Sequence, residues 1–100
     1  MDQQVIGNTL LVIARDQSGA PFKTFTFPIE PGARKSVERM RAVPLDEIFL
    51  GNGAKLVTKT ETYSGKSAIY IVTTFITHDA RGNIVDIEVQ TKTIPKSLIQ

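Results

Sequence analysis

Between Lys55 and Thr93 the chain alternates polar and apolar residues in three blocks separated by turn-forming residues. A period of two suits a pleated strand and defeats a helix, whose faces repeat every 3.6 residues. In the first block Thr58, Thr60 and Thr62 alternate with Val57, Lys59, Glu61 and Tyr63, before Ser64-Gly65-Lys66. In the second and third, Ile69, Ile71 and Phe75, and then Val85, Ile87 and Val89, alternate with more polar neighbours across Asp79-Ala80-Arg81-Gly82-Asn83. Three consecutive antiparallel strands over 55–93 are therefore predicted, with Ile69–His78 and Ile84–Thr93 as the second hairpin.

The amino-terminal half carries a similar device. Leu10, Leu11, Val12 and Ile13 form an apolar run within a strand Thr9–Arg15, and Phe25, Phe27 and Ile29 share one face of a second strand, Phe22–Ile29. Asp16-Gln17-Ser18-Gly19 joins them, with aspartate to bond the turn backbone and glycine to take a positive φ. The D-x-x-G-N element at 79–83 resembles the hairpin turn of YD-type repeats, a similarity of turn chemistry that points to no family.

Only residues 30–43 resist a strand reading. Ala33, Val37 and Met40 fall at i, i+4 and i+7, one stripe of a short helix, with Arg34, Glu38 and Arg41 on another face and Pro44 as the stop. For residues 44–50 a helical first turn after proline is favoured over a hairpin through Asn52-Gly53. The expected fold class is α+β: a curled antiparallel sheet of about five strands in the order ββαβββ, with one helix packed on it.

Length and composition bound the rest. One hundred residues, 41% of them hydrophobic, suit a single domain over 1–100 with one core. With no cysteine there is no disulfide, thiolate metal site or thiol chemistry. The longest apolar runs, Leu10–Ala14 and Ala68–Val72, fall far short of the ~20 residues of a membrane-spanning helix. No leader is read at the amino terminus, and a cytoplasmic whole gene product is expected. The net charge of +2 is diffuse, with six basic and six acidic residues in 1–54 against six and four in 55–100. Such a spread builds no strong single-sign field for nucleic acid.

Each candidate for chemistry has a plainer account. Gly65-Lys66-Ser67 matches the end of a phosphate-binding loop, but Thr60 stands where its first glycine belongs and a strand follows. Asp86 and Glu88 share a strand face within ~7 Å, yet on its polar side. His78, the lone histidine, stands beside Asp79 at a turn entrance; a hydrolytic, ligand-binding or metal role would need partners brought by the fold. Arg34, Lys35, Arg39 and Arg41 form the densest basic group, with Arg15 and Lys23 as neighbours to consider, and suit a nucleic-acid-binding helix or a solvated helix face. No catalytic residue set, metal site or cofactor is expected.

Tyr63, Tyr70, Val72 and Ile76 fall off the face expected to make the core. Apolar area left over on a sheet marks a protein interface, most often an isologous homodimer, unless the sheet closes on itself within one chain. The leading expectation is a non-enzymatic protein-binding or assembly domain working through a sheet face or edge as a homodimer. A nucleic-acid-binding accessory protein using the basic helix, and a small ligand-binding or hydrolytic domain around His78, are the alternatives.

Overall fold

The computed structural model describes residues 2–36 and 45–98, the side chains of Leu45 and Asp46 apart. Eight strands run through them: β1 (Asp2–Ile6), β2 (Thr9–Arg15), β3 (Pro21–Pro28), β4 (Arg34–Lys35), β5 (Leu45–Phe49), β6 (Lys55–Ser64), β7 (Ala68–His78) and β8 (Ile84–Pro95). The helical content is two single 3-10 turns, Gly51–Gly53 and Lys96–Leu98. The architecture is all-β, and the expected α+β class with a packed helix is overturned.

The strands form two antiparallel sheets. β1, β2 and β3 make a three-stranded meander, and β6, β7 and β8 make a second one whose β6 edge is continued by β4 and β5. β4 lies opposite Tyr63 and Ser64, while β5 lies opposite Lys55–Lys59, so the two short strands occupy one edge of β6 end to end. The inner faces pack on each other through Leu10, Val12 and Ala14 of β2 and Tyr63, Tyr70, Val72, Ile87 and Val89 of the larger sheet, joined by Ile29, Ala33 and Ala68. Phe25 and Phe27 stack at the margin of this core, with ring centroids 6.4 Å apart.

Turn chemistry explains why the described residues that follow β3 form no helix. Glu30-Pro31-Gly32-Ala33 closes on an Ala33 N–H donating to the Glu30 carbonyl at 3.2 Å, and Gly32 has φ +79°. Proline followed by a positive-φ glycine is the type II turn pattern, which reverses the chain. Ala33 is buried as expected, but from that turn, and Arg34 and Lys35 continue as strand beside β6. Val37 and Met40, the remainder of the proposed stripe, lie outside the described residues.

The helical turn favoured for residues 44–50 is likewise replaced. Leu45–Phe49 is strand and joins β6 as a hairpin, closed by the Leu50 amide donating to the Ala54 carbonyl at 2.8 Å, with Asn52 at φ 64°. The two aspartate turns are built alike. Asp16 Oδ1 accepts the amides of Ser18 and Ala20 at 2.9 and 3.1 Å, and Asp79 Oδ1 accepts those of Arg81 and Asn83, both at 2.9 Å. Gln17 ties the turns together, its Nε2 donating to Asn83 Oδ1 at 3.3 Å and its Oε1 accepting the Ile84 amide at 3.2 Å.

Candidate functional site

A β-bulge decides which side of the larger sheet is inside. The register slips between Thr77 and His78, so that His78 faces Ile84 while Thr77 faces Asp86, and Val85 is left without an opposite residue. Ile76 then pairs with Ile87 and Thr74 with Val89, which puts the even-numbered residues of β7 on the side of Ile87 and Val89. A slip of one residue exchanges the faces of a strand. Ile69, Ile71 and Phe75 accordingly lie on the outer side, opposite Ile94, Lys92 and Glu88, and all three are half-buried.

The proposed interface group sits on the inner side. Tyr63, Tyr70 and Val72 are 4%, 9% and 0% exposed, and Ile76 is half-buried against the same core. The three-stranded sheet of the same chain covers them, so their surplus apolar area is used within the sandwich. Both tyrosine hydroxyls have partners: Tyr63 donates to Gln3 Oε1 at 2.6 Å, and Tyr70 accepts the Glu30 amide at 3.2 Å. Burial, with the charge of Glu61, pushes the Tyr63 hydroxyl up to about 12.

The basic group does not share a helix. Arg34 and Lys35 are exposed on β4, and Arg39 and Arg41 lie outside the described residues. Arg15 bonds Asp2 at 2.9 Å, and Lys23 reaches Asp86 and Glu88 at 2.8 and 2.9 Å, clipping β3 to β8. The acid pair is therefore a counter-ion for Lys23, whose hydrogen bond to Asp86 outweighs desolvation and holds the Asp86 carboxyl below its ordinary value. His78 is half-buried with an Nδ1 that meets no hydrogen-bond partner. Among the described residues, no three histidine, aspartate or glutamate side chains group as metal ligands.

The phosphate-loop resemblance has a structural counterpart of another kind. The amides of Ser67 and Ala68 do surround an anion, and that anion is the chain's own Glu30 carboxylate, with Oε1 accepting both at 2.9 Å. The Ser67 hydroxyl donates to Oε2 at 3.1 Å. Burial pushes the Glu30 carboxyl up, but these donors prevail and hold it below its ordinary value.

Two surface features were not foreseen. The first is apolar: Ile48, Phe49 and Leu50 are 54%, 77% and 43% exposed at the end of β5. Among the described residues β5 pairs only with β6, so its other edge presents unpaired backbone groups. Ile48 stands opposite Leu56, on the same outer side as Phe75 and Ile71. The run Ile48-Phe49-Leu50 was visible in the sequence, but reading it as part of a helical turn concealed its edge position.

The second is a polar depression of about 390 Å³ where β1 meets β4 and β6, lined by Asp2, Gln3, Lys35, Lys59, Glu61 and Tyr63. Glu61 is its centre, a carboxylate only 5% exposed, with Lys59 Nζ 2.9 Å from one oxygen and Lys35 Nζ 2.5 Å from the other. The Lys35 contact is an ion pair outside hydrogen-bond geometry. Burial pushes the Glu61 carboxyl up, the two ammonium groups outweigh it, and the net effect is a lowered value. Compared with known protein families, curated proteins and solved structures, the chain matches none. Among the described residues, no helix is long and apolar enough to cross a membrane.

Proposed function

We propose that this chain is a non-enzymatic protein-binding or assembly domain that acts through the free edge of β5 and associates as a homodimer. The observation that carries the reading is the exposure of three consecutive apolar residues, Ile48, Phe49 and Leu50, at the end of a strand whose far edge is unpaired among the described residues. Unpaired edges are templates for another strand, and proteins normally blunt them with charge or proline. Here the apolar end of the strand is left open.

A second copy suits this edge better than an unrelated strand, because the edge is self-complementary. β5 carries two acidic residues, Asp46 and Glu47, ahead of Ile48 and Phe49, and Leu50 follows it. In an antiparallel two-fold pairing centred on Phe49, Phe49 meets Phe49 and Ile48 meets Leu50, and the two Glu47 positions fall at opposite ends of the overlap. The absence of cysteine suits a reducing compartment, and a cytoplasmic location belongs to the same proposal.

Sedimentation equilibrium tests it. A mass twice the 11.0 kDa of the chain is expected, falling to 11.0 kDa in Phe49→Lys with an unchanged β-sheet circular dichroism spectrum. A wild-type mass of 11.0 kDa at all concentrations would overturn the homodimer.

A further inference from the structure

We propose that the depression between β1, β4 and β6 is a binding site for a small oxyanion, a carboxylate or a phosphate group, held by Lys35, Lys59 and Gln3. The inference is independent of the β5 edge and rests on an inventory of donors and acceptors. Every acidic wall group already faces a cation. Asp2 Oδ2 takes Arg15 Nε at 2.9 Å, and the two oxygens of Glu61 face Lys59 and Lys35. The Gln3 carbonyl takes the Tyr63 hydroxyl at 2.6 Å.

The donors are not used up. A lysine ammonium carries three hydrogens, and among the described residues each of Lys35 and Lys59 has a single ion-pair contact, with Glu61, which leaves at least two hydrogens on each for a further acceptor. The side-chain amide hydrogens of Gln3 have no partner among the described residues. Two ammonium groups against one carboxylate also leave one positive charge, since Asp2 is matched by Arg15. A wall rich in donors and one positive charge in excess is complementary to an acceptor-rich anion.

Glu61 explains how the lysines come to be gathered. Two ammonium groups on a surface repel and spread apart, whereas here a carboxylate whose side chain is 3% exposed draws both to one point. The resulting plus-minus-plus row is relieved by a second anion on the solvent side. Lys35 and Lys59 side chains keep 48% and 33% of their exposure, so that side is open to a ligand.

The test is a titration of the full chain, followed by amide proton–nitrogen correlation spectra, with sodium phosphate and separately with sodium succinate, sodium chloride holding ionic strength constant. Saturating shifts are expected at Gln3, Lys35, Lys59 and Glu61, weakened at least tenfold in Lys59→Gln and unaffected in Lys96→Gln. Lys35→Gln, on the more exposed side chain, gives the same weakening should Lys59→Gln disturb the fold. Saturation by phosphate alone assigns the site to phosphate groups, and by succinate alone to carboxylates. Shifts that rise linearly without saturating, that scatter over all lysines, or that persist in both variants would overturn the proposal.

Discussion

Glu30 lies so close against Gly65 that a β-carbon at position 65 would displace the Glu30 carboxylate from the Ser67 and Ala68 amides. The contact joins the turn after β3 to the turn between β6 and β7, and so ties the smaller sheet to the larger one. Gly65→Ala is expected to lower stability by about 1–3 kcal/mol, through the hydrogen bonds that the displaced carboxylate gives up. Gly51→Ala, where the added carbon meets nothing within 4 Å, is expected to change it by less than about 0.5 kcal/mol. Urea denaturation of both variants checks the contrast.

Acid should loosen the same tie. The Glu30 carboxyl is held below its ordinary 4.5, so its contribution is complete above the unfolded value and disappears as pH falls through the lower folded one. In Glu30→Gln that contribution is missing at neutral pH, and the loss of stability below pH 4.5 should be shallower than in the wild type. Urea midpoints measured from pH 7 to pH 2 will show it as converging curves; parallel curves would count against the arrangement.

Glu61 should respond with a change of sign. In the wild type its lowered value makes acid destabilising through this group, because the lysine partners outweigh burial. Removing one partner with Lys59→Met lets burial dominate, so the carboxyl rises above its unfolded value and its charge becomes a cost at neutral pH. A loss on the order of 1–3 kcal/mol at pH 7 is expected, shrinking as the pH is lowered toward 4. Stability curves of the variant against pH give the answer directly.

The face chosen by the bulge in β8 can be probed with two identical substitutions. Val72 is 0% exposed on the inner side of β7, and Val85 is 51% exposed at the bulge. Val72→Ala should cost about 2 kcal/mol, from lost burial and a cavity. Val85→Ala should cost less than about 0.5 kcal/mol. Equal losses would mean that the register has been misplaced.

Most strands could be read from the sequence, since their bounds follow local rules: Thr9–Arg15 matches β2, and Lys55–Tyr63 falls one residue short of β6. Both aspartate turns were legible for the same reason. The helix was misread because three apolar residues at helical spacing are weak evidence over one or two turns, whereas Pro31-Gly32 names a chain reversal. β1 was not placed, although Gly7-Asn8 before Thr9 is a two-residue hairpin signal. The candidate interface was assigned to the wrong side of β7 because both sides are apolar, and a bulge set by one extra residue, Val85, leaves no mark in polarity. The Lys35–Glu61–Lys59 group joins β4 to neighbouring positions of β6, and only the pairing of Lys35 with Tyr63 brings its parts together.

Hydrogen exchange of the β5 amides, Leu45–Phe49, measured over a hundredfold range of protein concentration, tests the edge association most directly. Amides that point away from β6 have no partner among the described residues and should exchange quickly in dilute solution, then gain protection as a second copy pairs with them. Protection in β5 that is the same at every concentration, with the Glu47 and Phe49 amides exchanging as fast in the concentrated sample as in the dilute one, would contradict it.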